Sequence, residues 1–255
     1  MMKIKETATV FGQSELAPGI FSLLLDTKIV EQAIPGQFIS IFSNDGSKLL
    51  PRPISICEIN REYGILRVVY RVVGAGTEEF SKLKMGDKVE VMGPLGNGFP
   101  LEGERAIVVG GGIGVPPMLE LAKQLNGSVT AVMGYRNDDL FLTEEFTDMA
   151  AELIIATDDG SVGTHGTVVD AMKENDLEAD VIYACGPKPM LRAVAEYAAE
   201  HDIKCYVSME ERMACGVGAC LGCVCQSTEK DDHSHVNNKR VCKDGPVFLS
   251  TEVVL

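Results

Sequence analysis

No run in this 255-residue sequence approaches 18 consecutive apolar residues, which argues against a membrane-crossing helix. Its opening, MMKIKETATV, has neither an apolar core nor a small-residue cleavage site, so no secretory leader is expected and the expected compartment is a reducing cytoplasm. Positive charge is also short. Lys and Arg number 23 against 37 Asp and Glu, a net charge of −14, which disfavours nucleic acid and anionic membranes as partners. The chain has no internal repeat and no long low-complexity segment. It is 45% hydrophobic and 24% charged, the balance of a globular protein, and its length suits two or three small domains.

Cysteine, by contrast, is plentiful. Five of the eight lie within residues 205–225, and without a leader that density points to metal rather than disulfides. Cys215, Cys220, Cys223 and Cys242 read C-x4-C-x2-C, then eighteen residues, then C, close to the plant-type pattern that holds a 2Fe–2S cluster. Gly216, Gly218 and Gly222 let backbone wrap the cluster and aim N–H groups at sulfur. Zinc also takes four thiolates, but structural zinc sites pair two close knuckles, and only Cys220 and Cys223 form one. A Rieske centre needs two His ligands, and His233 and His235 fall in the polar stretch Glu229–Arg240 without cysteines at a matching spacing. Cys225 is a surplus thiol that could in principle exchange with Cys223.

The expected organisation has three parts. Residues 1–98 predict an antiparallel β-barrel or sandwich, with short strand-like runs at Ala8–Phe11, Ile20–Leu25, Gln37–Phe42, Ile54–Glu58, Ile65–Val73 and Lys88–Met92, separated by Gly, Pro, Asn and Asp. From residue 99 strand and helix patterns alternate, from Arg105–Val109 through Pro189–Glu200 to Lys204–Ser208, which predicts parallel βαβ units in a segment bounded at 99–203. Residues 204–255 form the Cys- and Gly-rich end that carries the cluster motif.

Three loops carry further chemistry. Gly110-Gly111-Gly112-Ile113-Gly114 follows a predicted strand and opens a helix at Pro116-Pro117, which lets a pyrophosphate approach backbone N–H groups. The spacing departs from GxGxxG, and no acidic residue marks the end of the next strand, Val129–Tyr135, so a ribose carboxylate is not supported and Arg136 becomes a candidate contact. Cys185-Gly186-Pro187 shapes a second loop at the same sheet edge, where Cys185 reads equally as a small buried residue or a functional group; no catalytic residue is otherwise certain. In the first segment, Arg52 can grip a phosphate and Ser55 can hydrogen-bond a flavin edge. Tyr70 and Arg71 offer an aromatic face and a cation, ahead of a small-residue loop at Gly76-Thr77 that opens a predicted helix, Glu78–Leu83.

The succession RPISI (52–56), YRVVGAGT (70–77), GGGIGVPPM (110–118), CGPKPM (185–190) and MACGVGACLGCVC (213–225), closed by VCKDGPVF (241–248), resembles the ferredoxin–NAD(P)H reductase superfamily. Within it, the chain is similar to the electron-transfer subunits of NAD-linked dihydroorotate dehydrogenase. The resemblance implies an FAD-binding barrel, with Arg52, Pro53, Ile54 and Ser55 on flavin and phosphate, Val69, Tyr70 and Arg71 flanking the ring and ribityl chain, and Gly76 and Thr77 on the pyrophosphate. It implies NAD as a diffusible substrate at Gly111, Gly112, Gly114, Cys185, Gly186 and Pro187, and Cys215, Cys220, Cys223 and Cys242 as 2Fe–2S ligands. It also implies an FMN-bearing catalytic partner that oxidises dihydroorotate in pyrimidine biosynthesis, in a heterotetramer of two plus two subunits. A flavin subunit exchanging electrons between ferredoxin and NADP(H) is the first alternative expectation, and a non-catalytic iron–sulfur regulator the second.

Overall fold

In a computed structural model of the chain, residues 3–230 and 235–255 are described; His233 of the polar stretch lies outside them. Among the described residues, strands β1 (Ile4–Ala17), β2 (Ile20–Asp26), β3 (Phe38–Ile41), β4 (Arg52–Asn60), β5 (Ile65–Arg71) and β6 (Lys88–Leu95) close an antiparallel barrel in the order β1-β2-β5-β4-β3-β6. Alternation builds it: Leu66, Val68 and Tyr70 of β5 point into a core shared with Leu23, Ile39, Ile56 and Val91, while Arg67, Val69 and Arg71 face outward. Strand β1 runs well beyond the expected Ala8–Phe11. Two irregularities, between Val10 and Gly12 and between Glu15 and Ala17, bend it so that it pairs with both β2 and β6. Helix α1 (Ala75–Phe80) starts earlier than the expected Glu78–Leu83, because Thr77 Oγ1 accepts the Val73 and Gly74 N–H groups and closes the first turn there.

The second layer is a sheet ordered β10-β9-β8-β7-β11-β12-β15. Its strands are β7 (Arg105–Gly111), β8 (Ser128–Tyr135), β9 (Glu152–Thr157), β10 (Thr164–His165), β11 (Val181–Cys185), β12 (Lys204–Ser208) and β15 (Val247–Leu249). All pairs are parallel except β12 with β15. Helices α2 (Val115–Gln124) and α3 (Thr143–Met149) pack together, as do α4 (Val168–Glu174) and α5 (Lys188–Glu200). The order reverses at β7, which feeds β8 on one side and lies beside β11 on the other, so ligands are expected at the β7–β11 edge. Residues 204–255, expected as a separate unit, contribute β12 and β15 to this sheet, because β12 continues the parallel register of β11 and β15 then pairs back onto it. The short hairpin β13 (Val224–Gln226) and β14 (Asn238–Arg240) completes the cysteine-rich segment.

The layers are locked together. Ile20, Cys57 and Val69 on the barrel's outer wall join the core of α2 and β7. The buried Glu120 of α2 accepts the Ile59 N–H at 2.8 Å, and Arg67 bridges Glu58 of the barrel, at 2.6 Å, to Glu145 of α3, at 3.3 Å. Tyr183 donates its hydroxyl to the Pro100 carbonyl at 2.8 Å and pins the connection between layers. No helix among the described residues is long and apolar enough to cross a membrane.

Candidate functional site

Two clefts meet where these layers join. The larger, of about 810 Å³, runs over the strand ends at Gly111–Gly114, Tyr135–Asn137 and Cys185–Pro187, and is closed opposite by Pro18, Ile20, Ser55 and Arg71 of the barrel. The smaller, of about 380 Å³, lies between Phe38, Pro53 and Ser55 of the barrel and Ser208–Met213 of the cysteine-rich segment. Ser55, Cys185 and Glu210 line both. Cys185 is buried, and burial pushes its thiol up to about 12, so it stands there as a small neutral group rather than a nucleophile. Glu210 lies two residues past β12, and burial among the walls around it raises its carboxyl pKa although its edge is open to solvent. Its strand is legible in the sequence, since Lys204–Ser208 ends the strand–helix alternation, but its place beside the clefts depends on the sheet order.

On the barrel, β4 turns Pro53 and Ser55 toward the smaller cleft and Ile54 toward the barrel core. Arg52 folds over Gly76: a Cβ there would stand 2.2 Å from its Nε, so glycine leaves the room the guanidinium occupies beside the 73–77 loop. The aromatic face expected from Tyr70 is not in either cleft. Strand alternation buries it at 1% exposure, stacked on Phe21 and bonded through its hydroxyl to Gln13 Oε1 at 2.9 Å, which leaves its backbone as the part facing outward. Thr77 likewise spends its hydroxyl on its own loop, bonding Val73, Gly74 and the Gly74 carbonyl. Val69 packs against the sheet layer, and Arg71 reaches the larger cleft, near Gly112.

The two sheet loops interlock. A Cβ on Gly114 would come within 2.2 Å of the Cys185 carbonyl oxygen, and Cβ atoms on Gly111 and Gly186 would strike Met190 at 2.3 and 2.5 Å. Gly112 takes φ +54°, a conformation natural to glycine. Pro116 and Pro117 occupy the first turn of α2, whose leading N–H groups are the orphans an anion can satisfy. At the far end of the cleft Arg136 does not stand alone. Asp158, just after β9, donates its backbone N–H to the Tyr135 carbonyl at 3.1 Å and lines the cleft with Asp139. An acid therefore also reaches the cleft from the end of the next strand, a neighbour that sheet order reveals.

The four cysteines gather in two pairs, Cys215 with Cys220 and Cys223 with Cys242, close enough to share hydrogen bonds. Although burial works against it, the N–H groups of Val217 at 3.5 Å, Cys220 at 3.4 Å and Ala219 at 3.3 Å draw the Cys215 thiol down to about 6. Cys220 Sγ accepts the Gly222 N–H, and Cys223 Sγ accepts that of Cys242, both at 3.4 Å. Burial and then Cys223 push the Cys242 thiol up to about 12, as expected of two crowded sulfurs. Among the described residues no three ligand-type side chains converge on one point as a single metal ion requires. Two thiol pairs, bridged in sequence by a loop of positive-φ residues (Gly216, Gly218 and Leu221), instead fit a two-iron cluster with two thiolates per iron. Cys225 is buried in the same core cluster as Cys223, Cys242, Val241 and Phe248.

A family model described as the iron-sulfur cluster binding domain of dihydroorotate dehydrogenase B matches residues 210–254. The chain is 45% identical over 261 residues to the dihydroorotate dehydrogenase B (NAD(+)), electron transfer subunit of Streptococcus mutans, covering all of both chains. It is 46% identical over 260 residues to the protein of the same name from Bacillus caldolyticus, covering 98% of this chain and 99% of that one. Among solved structures, a chain from the NADH-dependent reduced ferredoxin-NADP oxidoreductase, studied for flavin-based electron bifurcation, aligns at 31% identity with a TM-score of 0.87, over 97% of this chain and 89% of that chain. Phthalate dioxygenase reductase aligns at 17% identity and TM-score 0.64 over 96% and 97%, a likeness of fold.

Proposed function

Because the chain belongs to the electron-transfer subunits of dihydroorotate dehydrogenase B (NAD(+)), we propose that it carries electrons from a dihydroorotate-oxidising, FMN-bearing partner subunit, through a 2Fe–2S cluster and FAD, to NAD. Dihydroorotate gives up two electrons and two protons as its ring gains a double bond; NAD⁺ takes one hydride, and the second proton goes to solvent. When bound, the cluster supplies one-electron transfer and the flavin converts it to two-electron exchange with nicotinamide.

Cys215, Cys220, Cys223 and Cys242 hold the cluster. Arg52 offers its guanidinium to the FAD phosphates beside Gly76 and Thr77, Pro53 and Ser55 line the ring edge with the backbone of Ile54 between them, and Val69, Tyr70 and Arg71 border it, Tyr70 through its backbone. Gly111, Gly112 and Gly114 receive the dinucleotide phosphates, and Cys185, Gly186 and Pro187 border the nicotinamide. Ser55 supplies a hydroxyl that can orient either ring, and the neutral Cys185 thiol packs against a ring without competing for hydride. The observation that carries this reading is the shared wall of Ser55, Cys185 and Glu210, which joins the nucleotide cleft to the one bounded by the cysteine-rich segment.

The family name makes a catalytic partner subunit part of the protein's setting. A two-plus-two heterotetramer in the cytoplasm is our extension of it. Co-purification tests the assignment: an FMN-bearing subunit that oxidises dihydroorotate should travel with this chain, and its consistent absence from purified, flavinated protein contradicts the assignment. One observation favours a second reading, exchange between ferredoxin and NADP(H): Arg136 in the larger cleft has no ion-pair partner among the described residues, as a 2′-phosphate contact would. NADPH oxidised as efficiently as NADH would support it.

A further inference from the structure

Arg240 of β14 pairs with Val224, next to the third cysteine ligand, and precedes the fourth by two residues. Asp244 grips its guanidinium by two parallel bonds, from Nε to Oδ2 and from Nη2 to Oδ1, both 2.9 Å, and Asp244 Oδ2 also accepts the Arg240 backbone N–H at 2.8 Å. A planar fork held along one edge has its remaining nitrogen aimed by the grip. That nitrogen, Nη1, turns to the Gly218 carbonyl at 3.4 Å, in the loop between Cys215 and Cys220. The Lys243 stem lies against the same glycine, whose φ of +88° and missing side chain allow the approach. The cation thus faces the ligand set from one side, with its carboxylate behind it.

Reduction adds one negative charge to the cluster, so a fixed cation nearby favours the reduced form. The geometry points to Arg240 as the positioning residue that raises the cluster's reduction potential, with Asp244 holding its charge beside the Cys223–Cys242 pair. The inference rests on the 2Fe–2S reading. The competing role is mechanical: the same bonds could merely tie the β14 turn to the ligand loop.

Potentiometry followed by electron paramagnetic resonance, on the full complex with iron and sulfide assayed alongside, separates the two. Arg240→Gln should retain iron and sulfide and lower the midpoint by about tenfold in the one-electron equilibrium, or ~59 mV. Arg240→Lys should restore most of that shift, and Asp244→Asn, which removes the counter-charge, should raise the midpoint. A loaded Arg240→Gln protein with an unchanged or raised midpoint overturns the proposal. If that variant loses its cluster, Asp244→Asn decides: a raised midpoint supports the proposal, and an unchanged or lowered one overturns it. Loss of the cluster from both variants also overturns it, by assigning the pair to holding the loop. Absence of iron and sulfide from the unaltered protein would instead overturn the cluster reading itself.

Discussion

At the nucleotide edge, Gly114 lies where a Cβ would press 2.2 Å from a backbone oxygen of the neighbouring loop, and both loops hang from buried parallel strands. Around the cysteines, Gly216 and Gly218 instead supply positive φ, along a segment from Glu211 to Gly222 that contains no strand or helix. The first region is shaped by the sheet whether or not a dinucleotide is present. The second draws its order from N–H···S bonds to its thiols, and on the proposed reading from the cluster they would hold. Gly114 serves close packing in the first and Gly216 chain reversal in the second, so the two regions should respond differently to the same kinds of damage.

The widest separation is expected from Cys220→Ser. Steady-state transfer from dihydroorotate to NAD in the assembled complex should fall ~100-fold or more, while NADH-to-dye activity of the same flavinated protein stays near that of the unaltered chain. Equal loss of both would erase the distinction between the regions.

Iron removal by a chelator is the next test. Hydrogen exchange should accelerate through residues 213–224 and remain slow in β7 and β11, whose amides lie in the sheet ladder. Uniform acceleration would mean that the cluster stabilises the whole molecule.

Gly114→Ala attacks the other region. Its Cβ meets backbone rather than a flexible side chain, so thermal unfolding should report a loss of ~1–3 kcal/mol, accompanied by a raised KM for NADH, with iron content unaffected. Gly76→Ala offers a milder contrast on the barrel, because the obstructing Arg52 side chain can swing away. Stability should scarcely change, while FAD affinity, measured by flavin fluorescence, drops ~10-fold as the phosphate-facing guanidinium is displaced.

The smallest effect lies at the junction of the layers. Burial holds the Glu120 carboxyl above its ordinary value of 4.5, so just above that pH the folded chain binds more protons than the unfolded one. Its contribution is full below 4.5 and is lost as pH rises through the raised folded value. Denaturant titrations should show that decline, and Glu120→Gln should flatten it.

Much of this comparison was legible in the sequence, unevenly. The cysteine spacing marked the four thiols that the fold gathers in two pairs, because sulfur at fixed intervals is rare, and the Gly-rich runs after Arg105–Val109 and Val181–Cys185 marked the two sheet loops. Which way a side chain points was less legible: Tyr70 belongs to the barrel interior because Leu66, Val68 and Tyr70 share one face of β5. Long-range neighbours were hidden altogether. Asp158 reaches the nucleotide cleft only because β9 lies beside β8, and Glu210 reaches both clefts only because β12 joins the sheet. The starting residue of α1 depended on a hydroxyl, that of Thr77, folding back on its own loop.

The central claim is that one chain links nicotinamide, flavin and cluster across the shared wall. Anaerobic addition of NADH to the purified protein, followed by flavin absorbance and electron paramagnetic resonance on the same sample, tests it most directly. The account predicts flavin bleaching together with a reduced 2Fe–2S signal in the unaltered protein, and bleaching without that signal in Cys220→Ser. Bleaching in the unaltered, iron-loaded protein with no cluster signal at any NADH excess would contradict it.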